Sequence, residues 1–163
     1  MKTIIYSPGD PAGIGPDIFL SLMHEGFFEY IKANVVCMGD KELFHSRSKE
    51  LGYSLEINSF SNINDINEKV GFLEIIKCHD ISSGILNSTN SEYVIENLDF
   101  AIDTCVKKMG FGLVTGPISK ENIIEGGYSF SGHTERIMQK TNSDNVLMLL
   151  ASERLKVALA TTH

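Results

Sequence analysis

Short runs of consecutive apolar residues alternate along this chain with longer stretches in which apolar side chains recur every three or four positions. The first period marks strands buried on both faces, the second helices that turn one side to a core. Residues 3–6 read as a strand closed by Pro8-Gly9. Gly15-Pro16-Asp17 reads as a helix start with proline in the first turn, the helix ending near Gly26. Residues 35–38 form a continuous apolar run bounded by Asn34 and Gly39, a second strand. Residues 40–51 read as a helix ended by Gly52, and residues 72–76 as a strand. The clearest helix covers residues 92–109, where Val94, Leu98, Ala101, Ile102, Cys105, Val106 and Met109 share one face. Thr89 and Glu92 stand at capping-box spacing before it. Residues 113–115 read as a strand ending in Gly116-Pro117, and a further helix opens after Gly132. Two apolar runs, 146–150 and 157–160, flank the charged turn 152–154 and predict a hairpin. Residues 59–67 are polar and read as a surface loop.

This alternation predicts an α/β fold, a mostly parallel sheet with flanking helices and an antiparallel excursion at the end. A length of 163 residues fits one domain or one lobe of a larger protein. No repeat or linker marks an internal boundary. With 42% hydrophobic and 21% charged residues the chain can build an ordinary core. A formal charge of −7 argues against a general nucleic-acid binder, which needs a basic phosphate-facing surface. No run approaches the roughly 20 apolar residues of a membrane span. The N-terminal apolar stretch is too short for a signal peptide, so a cytoplasmic location is expected. Cys37, Cys78 and Cys105 form no C-x-x-C pair and read as buried, reduced thiols.

Two glycine-bearing segments hold the candidate chemistry. The run PGDPAGIGPD at positions 8–17 sits between a strand and a helix but lacks the Gly-Lys-Ser/Thr ending of a phosphate-binding Walker loop. It also carries Ile18 where a dinucleotide fingerprint needs a small residue, although Asp40 after the next strand resembles the acidic ribose partner. Alone, this segment reads as a tight turn. The run GHTER at positions 132–136 opens a helix with an imidazole, a hydroxyl and a guanidinium, all able to donate to phosphate or carboxylate oxygens. Alone, His133 and Thr134 equally suit helix capping. Lys120 and Arg136 read either as added positive potential or as solvated charges. Glu121 and Glu135 read either as bases or as acids favoured by a helix dipole. His24, His45 and His79 read as surface or loop residues.

Four ordered blocks, PGDPAGIGPD at 8–17, LVTGPISK at 113–120, SGHTE at 131–135 and VALATTH at 157–163, resemble the 4-hydroxythreonine-4-phosphate dehydrogenase family. That family comprises metal- and nicotinamide-dependent oxidoreductases of pyridoxal phosphate biosynthesis. Asp17 stands where the family more often has Glu. The GIGPD run is also similar to the β-decarboxylating isocitrate and isopropylmalate dehydrogenases, which bind nicotinamide cofactors without the dinucleotide fingerprint. The resemblance implies an isocitrate/isopropylmalate dehydrogenase-like fold, truncated here, with residues 1–163 as the N-terminal portion of a two-lobed enzyme. It implies that His133 and Thr134 contact a phosphorylated substrate and that His163 is the first of three metal-binding histidines. It further implies NAD or NADP, one divalent metal (Zn, Mg or Co) and a homodimer. The isolated chain is then expected to be inactive. Two rival readings are a sister dehydrogenase of 4-phospho-threonate or 4-phospho-erythronate, and a non-catalytic module for phosphate-ligand binding or dimerisation.

Overall fold

A computed structural model describes residues 2–107 and 109–159. Five parallel strands form one sheet in the order β3-β4-β2-β1-β5, with β1 Thr3–Ser7, β2 Asn34–Met38, β3 Ser59–Phe60, β4 Val70–Leu73 and β5 Gly112–Thr115. Ile5 lies opposite Val36 on one side and Leu113 on the other, so β1 is paired along both edges. The helices are α1 Gly15–His24, α2 Lys41–Glu50, α3 Ser91–Val106, α4 Lys120–Glu125 and α5 His133–Lys140. An antiparallel hairpin of β6 Met148–Ala151 and β7 Lys156–Leu159 follows.

The period of two sorts the strand residues onto two faces. Ile5, Val36, Met38 and Leu73 cluster with Ala101 of α3. Tyr6, Val35, Cys37 and Phe72 cluster with Phe19 and Leu20 of α1 and with Leu43 and Phe44 of α2. Phe19 is the hub of this second set. It stacks on Tyr6 at 5.1 Å and meets Phe72 edge-on at 5.6 Å. Burying each such side chain contributes about 1.5–3 kcal/mol. The expected α/β architecture is therefore present, with helical packing on both faces of the sheet.

The differences from the sequence reading are local. Residues 59–67 include a two-residue edge strand, β3, too short to register as an apolar run. The strand expected at 72–76 is β4 at Val70–Leu73; Glu74 follows it, its N–H still donating to the Phe60 carbonyl at 3.1 Å and its carboxylate accepting from Lys41 N–H at 3.0 Å. Thr89 does not cap α3. Asn87 accepts from Thr89 N–H, and a short 3-10 turn, Ser88–Asn90, leads into the helix. α3 stops at Val106 because Met109 and Gly110 donate back to the Thr104 carbonyl. Cys37 is buried, whereas Cys78 and Cys105 are only half-buried, and all three are free thiols. The hairpin forms as expected, with Ala160 outside the described residues.

Candidate functional site

β1 and β5 are neighbours, and the chain reaches them by building the sheet first on one side of β1 and then on the other. In such sheets the crevice beyond the carboxyl ends of the strands collects loops and helix N-termini. Here the loop after β1 meets the loop after β5. Asp10 N–H donates to the Pro117 carbonyl at 3.2 Å. A Cβ on Gly15 or on Gly116 would collide with the Pro8 carbonyl, so glycine at both positions lets the backbones touch.

Most strong polar groups of the PGDPAGIGPD segment meet protein partners, although Asp17 Oδ1 is held by an ion pair and not by a well-aligned hydrogen bond. The buried Asp10 carboxylate accepts from Ala12 N–H at 2.9 Å and from Asn122 Nδ2 of α4 at 3.4 Å. Burial pushes its pKa up, against the pull of those two hydrogen bonds. Arg47, itself buried, reaches over from α2. Its Nη2 donates to the Pro11 and Gly13 carbonyls, each at 3.3 Å, and its Nε lies 2.8 Å from Asp17 Oδ1. Tyr6 OH donates to the Gly15 carbonyl at 3.0 Å. The segment is a braced turn. Asp40 is buried and caps α2 by accepting from Glu42 N–H at 2.8 Å, and its other oxygen accepts from Cys78 N–H at 3.2 Å.

The start of α5 is different. Gly132 is its N-cap and no side chain caps the helix, so neither His133 nor Thr134 does the capping work. The His133 ring stands edge-on to buried Phe130 at 5.8 Å. Its Nε2 is buried and has no hydrogen-bond partner among the described residues. Burial first, and the neighbouring Lys120 ammonium second, hold the imidazole below its ordinary pKa, which keeps it neutral. Lys120 opens α4, and a Cβ on Gly132 would lie 3.5 Å from its Nζ and 2.7 Å from Glu135 Oε2. Neutral imidazole, ammonium, the Thr134 hydroxyl and the first-turn N–H groups of α5 thus assemble donors suited to an anion with several oxygens.

Arg136 belongs elsewhere. It forms a two-pronged ion pair with Asp99 of α3 at 2.7 and 2.6 Å, and Lys140 reaches Asp103 at 3.1 Å. These bonds hold α5 on α3 and so set where its N-terminus points. Arg136 is therefore an ion-paired brace and not a free solvated charge. His24, His45 and His79 are exposed, as expected. His163 lies outside the described residues, among which no group of three or more His, Cys, Asp or Glu is placed to hold a metal. The described residues therefore do not by themselves compose a metal site.

Residues 31–163 match the family profile described as pyridoxal phosphate biosynthetic protein PdxA. The chain belongs to this family. It is 37% identical to a 4-hydroxythreonine-4-phosphate dehydrogenase of Sodalis glossinidius over 99% of its own length and 49% of the relative's. It is 35% identical to the protein of the same name from Serratia proteamaculans, covering 98% and 48% respectively. Among solved structures it is similar to 4-hydroxythreonine-4-phosphate dehydrogenases of Klebsiella pneumoniae, with a TM-score of 0.83 at 22% identity, and Burkholderia phymatum, with 0.81 at 21%. These superpositions cover 97% of this chain and about half of each structure (50% and 49%). The PdxA-family chain thus spans about half the length of the relatives it matches.

Of the residues read from the sequence, the structure gathers His133 and Thr134 at one helix start and brings Lys120 beside them. Sequence reasoning did not foresee Arg47 and Asn122 as braces of the glycine-rich turn. Nothing in their local sequence points there, since both contacts form only when α2 and α4 fold over the β1 loop.

Proposed function

We propose that this chain supplies the phosphate-facing part of a PdxA-type dehydrogenase acting on 4-phosphohydroxy-L-threonine in pyridoxal phosphate (vitamin B6) biosynthesis. The observation that carries the reading is the buried, unpartnered Nε2 of His133 beside the Lys120 ammonium. A buried polar atom without a partner costs about 1–3 kcal/mol, and a ligand oxygen repays it. The neutral imidazole, protonated at Nε2, donates to a phosphate oxygen, Thr134 Oγ1 donates to a second, and Lys120 offsets the charge. Anchoring the phosphate at one end orients the secondary hydroxyl at the other, a positioning effect of several kcal/mol when the geometry is good.

In the proposed reaction the hydroxyl-bearing carbon gives its hydride to NAD⁺ or NADP⁺ and the hydroxyl loses its proton. The resulting β-keto acid loses CO₂ to leave 3-amino-2-oxopropyl phosphate. The reading includes one divalent metal (Zn, Mg or Co), with His163 as one donor and the remaining donors outside the described residues; it also includes a homodimer. The family relatives named 4-hydroxythreonine-4-phosphate dehydrogenase support this substrate. The test is NAD(P)⁺ reduction by a protein of family length carrying this chain, given 4-phosphohydroxy-L-threonine, 4-phospho-threonate or 4-phospho-erythronate with metal. Preferred turnover of the first, lost on chelation, is the expected result. Preference for either sugar-acid phosphate overturns the substrate, and metal-independent turnover overturns the mechanism.

A further inference from the structure

The start of α5 holds an acid among its donors. Glu135 is the third residue of the helix, and its carboxylate folds back beside the N-cap: a Cβ on Gly132 would meet Glu135 Oε2 at 2.7 Å and Lys120 Nζ at 3.5 Å. Carboxylate and ammonium thus flank one point, yet among the described residues they do not close into an ion pair. The other cations of α5 are committed to α3, Arg136 to Asp99, with Glu96 close by, and Lys140 to Asp99 and Asp103. His133 is held neutral by burial and by Lys120. One ammonium and one carboxylate therefore leave the side chains of the site without net charge. A receptor for a phosphate dianion would carry an excess of cations, and a carboxylate facing an acceptor-only oxygen is repulsive. A phosphate monoester that keeps its second proton carries one charge and one P–OH donor, and it suits both groups.

We propose that Glu135 is a specificity-determining residue of this site: its carboxylate accepts the P–OH of a monoprotonated phosphate ester, so the site reads the proton on the phosphate as well as its oxygens. Each of the three non-bridging oxygens is then matched. Two accept from His133 Nε2 and Thr134 Oγ1, the third donates to Glu135, and Lys120 faces the single remaining charge. Phosphate monoesters lose their second proton near pH 6, so above that pH binding draws one proton from solvent onto the phosphate. An anion with no proton has to turn the carboxylate aside. The inference rests on the anion-binding reading of His133 and Thr134 given above. A helix dipole alone would also favour an acid at position 135, but it distinguishes no ligand that carries the proton from one that lacks it.

The probes are 4-phosphohydroxy-L-threonine and its sulfate-ester isostere, which has the same shape and a single charge but no ionisable proton. In titration calorimetry of the chain at about pH 6, the phosphate ester should bind about 10- to 150-fold more tightly than the sulfate ester, the span of one hydrogen bond to a charged group. At about pH 7.5, in buffers of different ionisation enthalpy, binding of the phosphate ester should take up close to one proton. Glu135→Gln, whose amide donates where the carboxylate accepts, should bind the sulfate ester at least about tenfold more tightly than the wild type and take up no proton. Uptake that persists in Glu135→Gln, or that vanishes in His133→Phe, places the proton on His133 and overturns the proposal. Equal binding of the two esters by the wild type also overturns it while leaving the anion site standing, and this comparison needs no substitution to fold. Binding of neither ester removes the anion site itself, and the proposal with it.

Discussion

His133→Phe separates a ligand-binding role from a structural one. Phenylalanine keeps the ring against Phe130 and removes both nitrogens, including the buried, unpartnered Nε2. If the histidine were holding the helix start, losing it would cost about 0.5–2 kcal/mol, the usual worth of a cap. The observed geometry predicts the reverse: the ligand-free chain gains up to about 1–3 kcal/mol, because an unsatisfied buried atom disappears. Binding should move oppositely. A hydrogen bond to a charged group contributes roughly 1.5–3 kcal/mol, so affinity for 4-phosphohydroxy-L-threonine should fall about 10- to 150-fold. In urea unfolding, ligand at about 100 times the wild-type Kd should stabilise the wild type by about 2.7 kcal/mol, and the variant by only about 0.3–1.4 kcal/mol. The pH profile gives a second reading. The folded-state pKa of His133 lies below its ordinary value of 6.5, so the unfolded chain takes up the proton first. That contribution to stability is fully present above about pH 6.5 and is lost as pH falls from there toward the folded pKa. His133→Phe should lack this loss. A destabilised variant that keeps the full ligand shift would return His133 to a structural role and refute the reasoning.

Arg47→Met removes the brace of the 8–17 turn, leaving two carbonyls and Asp17 without their partner. Breaking a buried pair costs about 3–5 kcal/mol; because Asp17 is partly exposed, about 2–3 kcal/mol is expected in urea unfolding. Gly116→Ala drives a Cβ into the Pro8 carbonyl and should cost at least about 1–3 kcal/mol, read as a lowered melting temperature; a stable variant would show that the loops after β1 and β5 do not touch. Arg136→Gln and Asp99→Asn should each destabilise the chain, and their double-mutant cycle should give a coupling of about 1–2 kcal/mol, between the exposed and buried limits for ion pairs. A coupling near zero would free α5 from α3. His163→Ala in the family-length protein should lower metal content and turnover together, and normal metal content would remove His163 from the ligand set.

Most of the sheet was legible because a strand buried on both faces must be apolar throughout, and residues 35–38 have no polar position. The face of α3 was legible for the matching reason of period. What escaped was decided by distant partners. Whether Arg136 faces a ligand depends on Asp99, thirty-seven residues earlier, and no local pattern encodes that pairing. Lys120 stayed ambiguous because its position beside His133 is a contact between the starts of α4 and α5, which no local pattern encodes. The edge strand Ser59–Phe60 escaped because two residues carry no measurable period.

The two glycine-bearing segments looked alike in sequence, each a polar run between a turn and a helix, and the structure distinguishes them by where their polar groups find partners. In the 8–17 turn, Asp10, Asp17 and the carbonyls of Pro11, Gly13 and Gly15 all meet protein groups. A ligand there would have to displace those contacts, each worth about 0.5–1.5 kcal/mol net and more where charged. At the start of α5 the helix is uncapped by side chains and the His133 Nε2 is buried without a partner, and the one group an anion would have to turn aside is the Glu135 carboxylate next to Gly132. The desolvation cost there is borne before any ligand arrives, so a phosphate oxygen gains the full hydrogen bond. By this criterion the first segment maintains the crevice and the second is the one we propose to recognise what enters it, although the glycine count alone would rank them the other way.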